Sequence, residues 1–150
     1  MEFSLQQVPD GAQDIILSAE RNASPDHATL ITFSGDLGAG KTTMIQEVAR
    51  LLGVREDLQS PTFVIYKIYE IPKAGPVSAF SFKKFVHGDM YRLESADEIV
   101  KLGWGDLLKD PKNLICLEWP EKVAEVVPAW AIHVVLGHTE RGTRMLDIDK

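Results

Sequence analysis

Apolar residues recur along this chain with two different periods, and the switches between them trace an alternation of strands and helices. Ala28 to Ser34 is a short β-rich run that ends directly at a glycine. Behind it, Met44, Ile45, Val48, Leu51 and Leu52 keep helical spacing until Gly53, a residue suited to the position just past a helix end. Upstream, Glu2 to Val8 reads as an edge strand. Asp10 then caps a helix carrying Ala12, Ile15, Ile16 and Ala19 on one face, and Asn22 to Asp26 breaks it. Downstream, Phe63 to Ile71 is dense in β-branched and aromatic residues, Pro72 to Pro76 is a turn, and Phe80 to His87 returns, which predicts an antiparallel hairpin. Ser95 and Glu98 have capping-box spacing and predict a short helix through Leu102. Leu114 to Leu117 is a candidate buried central strand, followed by a short helix over Val123 to Val127. A final hairpin pairs Ala131 to Leu136 with Thr143 to Ile148, turned near Arg141 and Gly142.

Together these elements predict a three-layer α/β domain. Its mixed sheet has a parallel centre around the run ending at Ser34 and antiparallel hairpins toward the edges. At 150 residues, with 45% hydrophobic and 25% charged residues, one compact soluble domain is expected. A net charge of −6 argues against a domain that holds nucleic acid by itself, and Lys67, Lys73, Lys83, Lys84, Arg92 and Lys101 are scattered as solvated surface lysines and arginines usually are. No stretch approaches the roughly 20 apolar residues of a membrane helix, and the first residues lack the pattern of a signal peptide, so a cytoplasmic protein without a membrane partner is expected. Cys116, the single cysteine, belongs to the apolar run and therefore to the core.

The chemistry begins where the first core strand ends. Gly35, Asp36, Leu37, Gly38, Ala39, Gly40, Lys41 and Thr42 fit the phosphate-cradling pattern G-x-x-x-x-G-K-(S/T), and Thr43 continues into the helix. Glycines let successive amides turn inward around a polyphosphate, Lys41 adds a mobile positive charge, and the helix N-terminus adds partial positive charge beneath the phosphates. The Thr42 hydroxyl suits magnesium. The order strand, loop, helix is the context that this pattern requires, and it points to a nucleoside triphosphate with Mg2+.

Such a site also needs an acidic residue at the carboxyl end of a neighbouring strand, to hold magnesium directly or through water or to orient an attacking water. Glu118, just after Leu114 to Leu117, and Asp89, just after His87, both qualify. His87, Asp89 and Tyr91 share one face if their segment is extended, with Arg92 on the other. Ser60-Pro61-Thr62-Phe63 offers hydroxyls that could sense a γ-phosphate, and Trp119 follows Glu118; with His87 and Tyr91 these are candidate switch or partner-sensing groups. No histidine spacing supports zinc, because His27, His133 and His138 form no ligand set with His87.

Four segments taken in order, namely Gly35 to Thr43, Ser60-Pro61-Thr62-Phe63, His87-Gly88-Asp89-Met90-Tyr91-Arg92 and Glu118-Trp119-Pro120, resemble the TsaE (YjeE) family, small P-loop ATPases of the bacterial tRNA threonylcarbamoyladenosine pathway. The resemblance implies that Thr42 and Glu118 serve magnesium, that Asp89 supports the metal or its waters, and that Lys41 with the loop amides holds ATP. It further implies that Arg141 is the family's basic residue near the nucleotide. It also implies TsaD and TsaB as partners, with tRNA reached indirectly through that complex. Two departures stand out: Gly88 occupies a place usually apolar in the family, and the connection from Ile71 to Lys84 is long.

The expected activity is therefore ATP hydrolysis, slow for the isolated chain and stimulated by the partner complex, with Lys41, Asp89 and Glu118 as catalytic groups. A small-molecule kinase would need an arginine-bearing lid over its acceptor, for which no insertion is evident. A nucleotide-dependent binding module, in which hydrolysis is incidental, is the alternative from a different class.

Overall fold

Pro9 decides where the first helix starts, because its ring fixes φ and its missing N–H costs nothing in the first turn. The structure, a computed structural model, describes residues 2–56, 65–72, 81–141 and 143–149. In chain order the elements are β1 (Glu2–Phe3), α1 (Val8–Arg21), β2 (Thr29–Ser34), α2 (Lys41–Leu51), β3 (Tyr66–Glu70), β4 (Lys84–Asp89), α3 (Asp97–Val100), α4 (Trp104–Lys109), β5 (Asn113–Glu118), β6 (Ile132–His138) and β7 (Arg144–Asp149). A single 3-10 turn covers Leu5–Gln7, and a seven-residue 3-10 segment kinked at Val123 covers Pro120–Val126.

The expected edge strand from Glu2 to Val8 is thus only two residues long, since the chain has already turned by Leu5–Gln7 to feed α1. Gln7 occupies the cap position; Asp10 lies in the first turn, where its carboxylate faces the positive end of the helix instead of capping it.

Among the described residues, seven strands form one sheet in the order β1-β7-β6-β2-β5-β4-β3. The four central strands, β6, β2, β5 and β4, are parallel, while β3 and β7 pair antiparallel at either side and β1 adds to β7. This is the mixed sheet expected from the sequence. Its centre is covered on both faces: every residue of β5 is buried, and so is every residue of β2 except Ser34. Ile15, Ile16, Met44, Ile45 and Val48 of α1 and α2 cover one face, packing on Ile31, Phe33, Leu114, Cys116 and Val134. Ile99, Trp104, Leu107 and Val123 cover the other, over Leu30, Val86, Ile115 and Leu117.

The remaining local differences have identifiable causes. β4 runs two residues past His87 because its parallel pairing with β5 continues to Asp89 opposite Glu118. Ser95 makes no side-chain cap, and the Glu98 carboxylate accepts from the Glu94 N–H at 3.1 Å; α3 ends at Val100, where Leu102 N–H to the Ile99 carbonyl and Gly103 N–H to the Val100 carbonyl tighten the chain into turns before left-handed Gly103. A second short helix, α4, restarts after Gly103 and docks Trp104, whose Nε1–H donates to the Val126 carbonyl at 2.9 Å. Gly88 sits in register with Tyr66, and a Cβ there would come within 2.9 Å of Leu117 Cδ1 and 3.2 Å of Met90 Cε, so its neighbours already fill the space of an apolar side chain. The predicted turn at 73–76 lies outside the described residues, as do Phe63, Val64, Phe80 and Gly142.

Candidate nucleotide-binding site

Gly35 leaves β2 at φ +142°, in so close an approach to β6 that a Cβ would stand 2.2 Å from the Leu136 carbonyl oxygen. Asp36 then accepts from the Ala39 N–H at 3.0 Å, closing a turn that reverses the chain. Gly40, left-handed at φ +99°, hands over to α2, whose first regular bond is Met44 N–H to the Gly40 carbonyl at 2.9 Å. No side chain caps α2 and no acidic residue stands in its first turn. Its leading amides therefore keep their partial positive charge for an external anion.

Lys41 is only 5% exposed. Its ammonium donates to the Gly35 carbonyl and, at 3.5 Å, to that of Asp36, and lies 3.6 Å from the centre of the Trp119 ring. Burial lowers its pKa below the ordinary 10.5, opposed by the nearby carboxylates of Glu118, Glu121, Asp89 and Asp36. Trp119 is the one non-glycine residue with positive φ among the described residues, at 58°. Holding a bulky residue there costs about 1–3 kcal/mol. The turn between Glu118 and Pro120 thereby lays the indole over Lys41, and the Tyr91 ring packs against it, tilted, with 5.0 Å between centroids.

The acidic pair arrives from adjacent strand ends. Asp89 and Glu118 are register partners on β4 and β5. Glu118, 3% exposed, accepts from Thr42 Oγ1 at 2.8 Å on one oxygen and from His87 Nε2 at 2.7 Å on the other. Asp89 accepts from the Tyr91 N–H at 3.0 Å. A cleft of about 290 Å³ opens between these groups, lined by Leu37, Gly38, Gly40, Lys41, Thr42 and Thr43 from the loop and α2, Asp89 at the end of β4 with Tyr91 just after it, Glu118 at the end of β5 with Trp119 just after it, and Arg144.

Most of the sequence-predicted residues thus meet around one cleft, with informative exceptions. His87 is fully buried beneath Glu118 and does not face the opening. Arg141 is exposed in the turn before β7 and is not on the cleft wall; Arg144 is, with its guanidinium against Gly40. His138, which no motif marks, donates from Nε2 to the Gly38 carbonyl oxygen at 3.2 Å and steadies the loop. Ser60 and Thr62 lie outside the described residues.

The donor set fits a small hard cation: a hydroxyl and two carboxylates at the foot of an uncapped helix end. Among the described residues, no group of three His, Cys, Asp or Glu could hold a metal without help. Mg2+ characteristically takes one or two carboxylates and completes its shell with phosphate and water.

Strand, glycine loop and uncapped helix, with acidic residues from the neighbouring parallel strands, define a P-loop nucleoside-triphosphatase-like α/β protein. The chain belongs to the TsaE family: the family model described as threonylcarbamoyl adenosine biosynthesis protein TsaE matches residues 8–146. A protein of Rickettsia prowazekii named tRNA threonylcarbamoyladenosine biosynthesis protein TsaE is 34% identical over 131 residues, covering 87% of this chain and 82% of that protein. A namesake from Nostoc is 30% identical over 80% of this chain and 69% of its own length. The crystal structure of Bacillus subtilis YdiB superposes with a TM-score of 0.57 at 22% identity, covering 92% of this chain and 77% of that one, which bears on the fold alone. Among the described residues, no helix is long and apolar enough to cross a membrane.

Proposed function

We propose that this chain is a magnesium-dependent ATPase that supports threonylcarbamoylation of tRNA adenosine, acting in the cytoplasm as a subunit beside TsaD and TsaB, with tRNA engaged through that complex. The pathway follows from the names of its relatives. The observation that carries the chemistry is the Thr42–Glu118 hydrogen bond at the foot of an uncapped helix, beside a buried lysine.

In this reading the loop amides from Gly38 to Thr43 and the Lys41 ammonium take the β- and γ-phosphate oxygens, for which Lys41 exchanges the Gly35 and Asp36 carbonyls. Thr42 and Glu118, with Asp89, would hold Mg2+, which when bound would neutralise charge developing on the phosphoryl oxygens. Glu118 already accepts on both oxygens. Asp89, which lines the same cleft, would orient water, whose oxygen bonds the γ-phosphorus as the bond to the bridging oxygen breaks, its proton passing to the phosphate oxygens as ADP leaves. Arg144 adds a fixed positive charge on the far side of Gly40.

ATP turnover with and without TsaD, TsaB and tRNA tests the proposal. The complex is expected to raise turnover and Lys41→Ala to abolish it; turnover indifferent to both would reject the reading.

A further inference from the structure

The His87 ring is 0% exposed, sits on a central strand and faces neither solvent nor the cleft. An ordinary core histidine would bond backbone or water. This one spends its Nε2 on a carboxylate whose other oxygen is already bound to Thr42. A carboxylate only accepts, so Nε2 carries the proton. Nδ1 has no hydrogen-bond partner among the described residues, so Glu118 is what fixes this tautomer within the described structure. The placement follows from the parallel register: His87 pairs with Cys116 two residues before Asp89 pairs with Glu118, on the same face, so the imidazole reaches diagonally under the Glu118 carboxyl.

We propose that His87 is the positioning residue for Glu118, clamping Oε2 so that Oε1 holds the Thr42 proton and turns the Thr42 lone pairs toward the cation site. A glutamate has three side-chain torsions, and a single donor on Oε1 leaves its carboxyl free to swing. The second donor, from β4, removes that freedom and ties both acid-bearing strands to the first turn of α2. This inference rests on the reading of Thr42 and Glu118 as groups that serve the metal–nucleotide site.

The test compares Mn2+ binding to the ADP-bound chain, followed by electron paramagnetic resonance, in wild type, His87→Gln, His87→Asn, His87→Leu and Glu118→Gln. Gln can place its amide N–H where Nε2 stands; Asn is too short and Leu has no donor. Loss of an outer-shell partner typically costs 10–100-fold in metal affinity, so Asn and Leu are expected to weaken Mn2+ binding by about tenfold or more and Gln by roughly threefold at most. ADP affinity in EDTA is expected to be equal across the His87 variants. Unchanged Mn2+ binding in His87→Asn, or equal losses in Gln and Asn, would overturn the positioning role. Mn2+ binding indifferent to Glu118→Gln would instead overturn the underlying reading of the site. Nitrogen-15 spectra of wild-type protein are expected to show the Nε2-protonated ring, and an Nδ1-protonated ring would overturn the proposal even if no variant folds.

Discussion

Thr42 and Glu118 stand 76 positions apart in the chain and share a 2.8 Å hydrogen bond, Oγ1–H donating to Oε1. The bond joins the first turn of α2 to the end of β5, two elements that touch only because β2 and β5 are parallel neighbours. Groups that act as a unit lose function non-additively. Thr42→Ala and Glu118→Gln are each expected to cut Mg2+-dependent ATP turnover by about 10²-fold or more, on the scale of losing one preorganised polar group. The double variant should be little worse than the weaker single one, and Thr42→Ser should retain most activity. Multiplicative losses in a double-mutant cycle would show that the two side chains work separately.

Arg144 and Arg141 provide an internal control. Both come from the final hairpin, but only Arg144 lines the cleft, while Arg141 is exposed and uses its backbone N–H on Thr139 at 3.3 Å. A charge-assisted hydrogen bond to phosphate or its loss corresponds to about 1.5–3 kcal/mol, so Arg144→Ala is expected to weaken ATP binding by roughly tenfold or more. Arg141→Ala should leave the dissociation constant within a factor of about two, as surface substitutions usually do. Calorimetric titration of both variants decides; the opposite ranking would return the basic role to Arg141.

That pair also shows what the amino-acid pattern can and cannot carry. The glycine loop is legible because its glycines, lysine and threonine keep a fixed spacing directly after a strand, and Glu118 because a carboxylate directly after Leu114 to Leu117 has to emerge at a strand end. The final hairpin has no such constraint: which arginine meets the loop depends on the pairing of His138 with Arg144, a register that the apolar alternation alone leaves open. His87 failed for another reason. Period-two alternation correctly put it on the face of Asp89, but it says nothing about depth, and two residues of strand, about 6–7 Å, separate the cleft wall from the core beneath it. The capping-box pattern at Ser95 and Glu98 misled because the chain spends Glu98 on the Glu94 amide.

Gly35 separates folding from ligand binding within the same loop. The atom that a Cβ would meet at 2.2 Å is the backbone oxygen of Leu136 on a parallel neighbour strand, which cannot step aside, whereas at Gly40 it would meet the flexible tip of Arg144. Gly35→Ala is expected to cost about 1–3 kcal/mol through overpacking, lowering Tm by roughly 2–10 °C. Gly40→Ala meets only a movable side chain, so it should lower Tm less, by the strain of its left-handed φ, about 1 kcal/mol, while displacing Arg144 and weakening ATP binding. Thermal unfolding scans of the two proteins test the contrast, and an unperturbed Tm in Gly35→Ala would show that the loop can yield.

Cys116 gives a prediction that depends on pH. It lies fully buried on β5, and burial, reinforced by the Glu118 charge, pushes its thiol far above the ordinary 9.0. The folded chain then keeps the proton over a range in which the unfolded chain has lost it. Above about pH 9 the unfolded state binds fewer protons, so stability falls as pH rises, approaching about 1.4 kcal/mol per pH unit for this one group; below pH 9 the thiol contributes no slope. Denaturant titrations of wild type and Cys116→Ala between pH 7.5 and 10.5 isolate the effect, because lysines and tyrosines titrate alike in both. The variant is expected to be less stable at neutral pH, from the lost packing against Ile31 and Phe33, and to close the gap as pH rises. Parallel curves would mean that the folded chain already admits the thiolate, and a disulfide reagent would then label Cys116 in native protein faster than the chain unfolds.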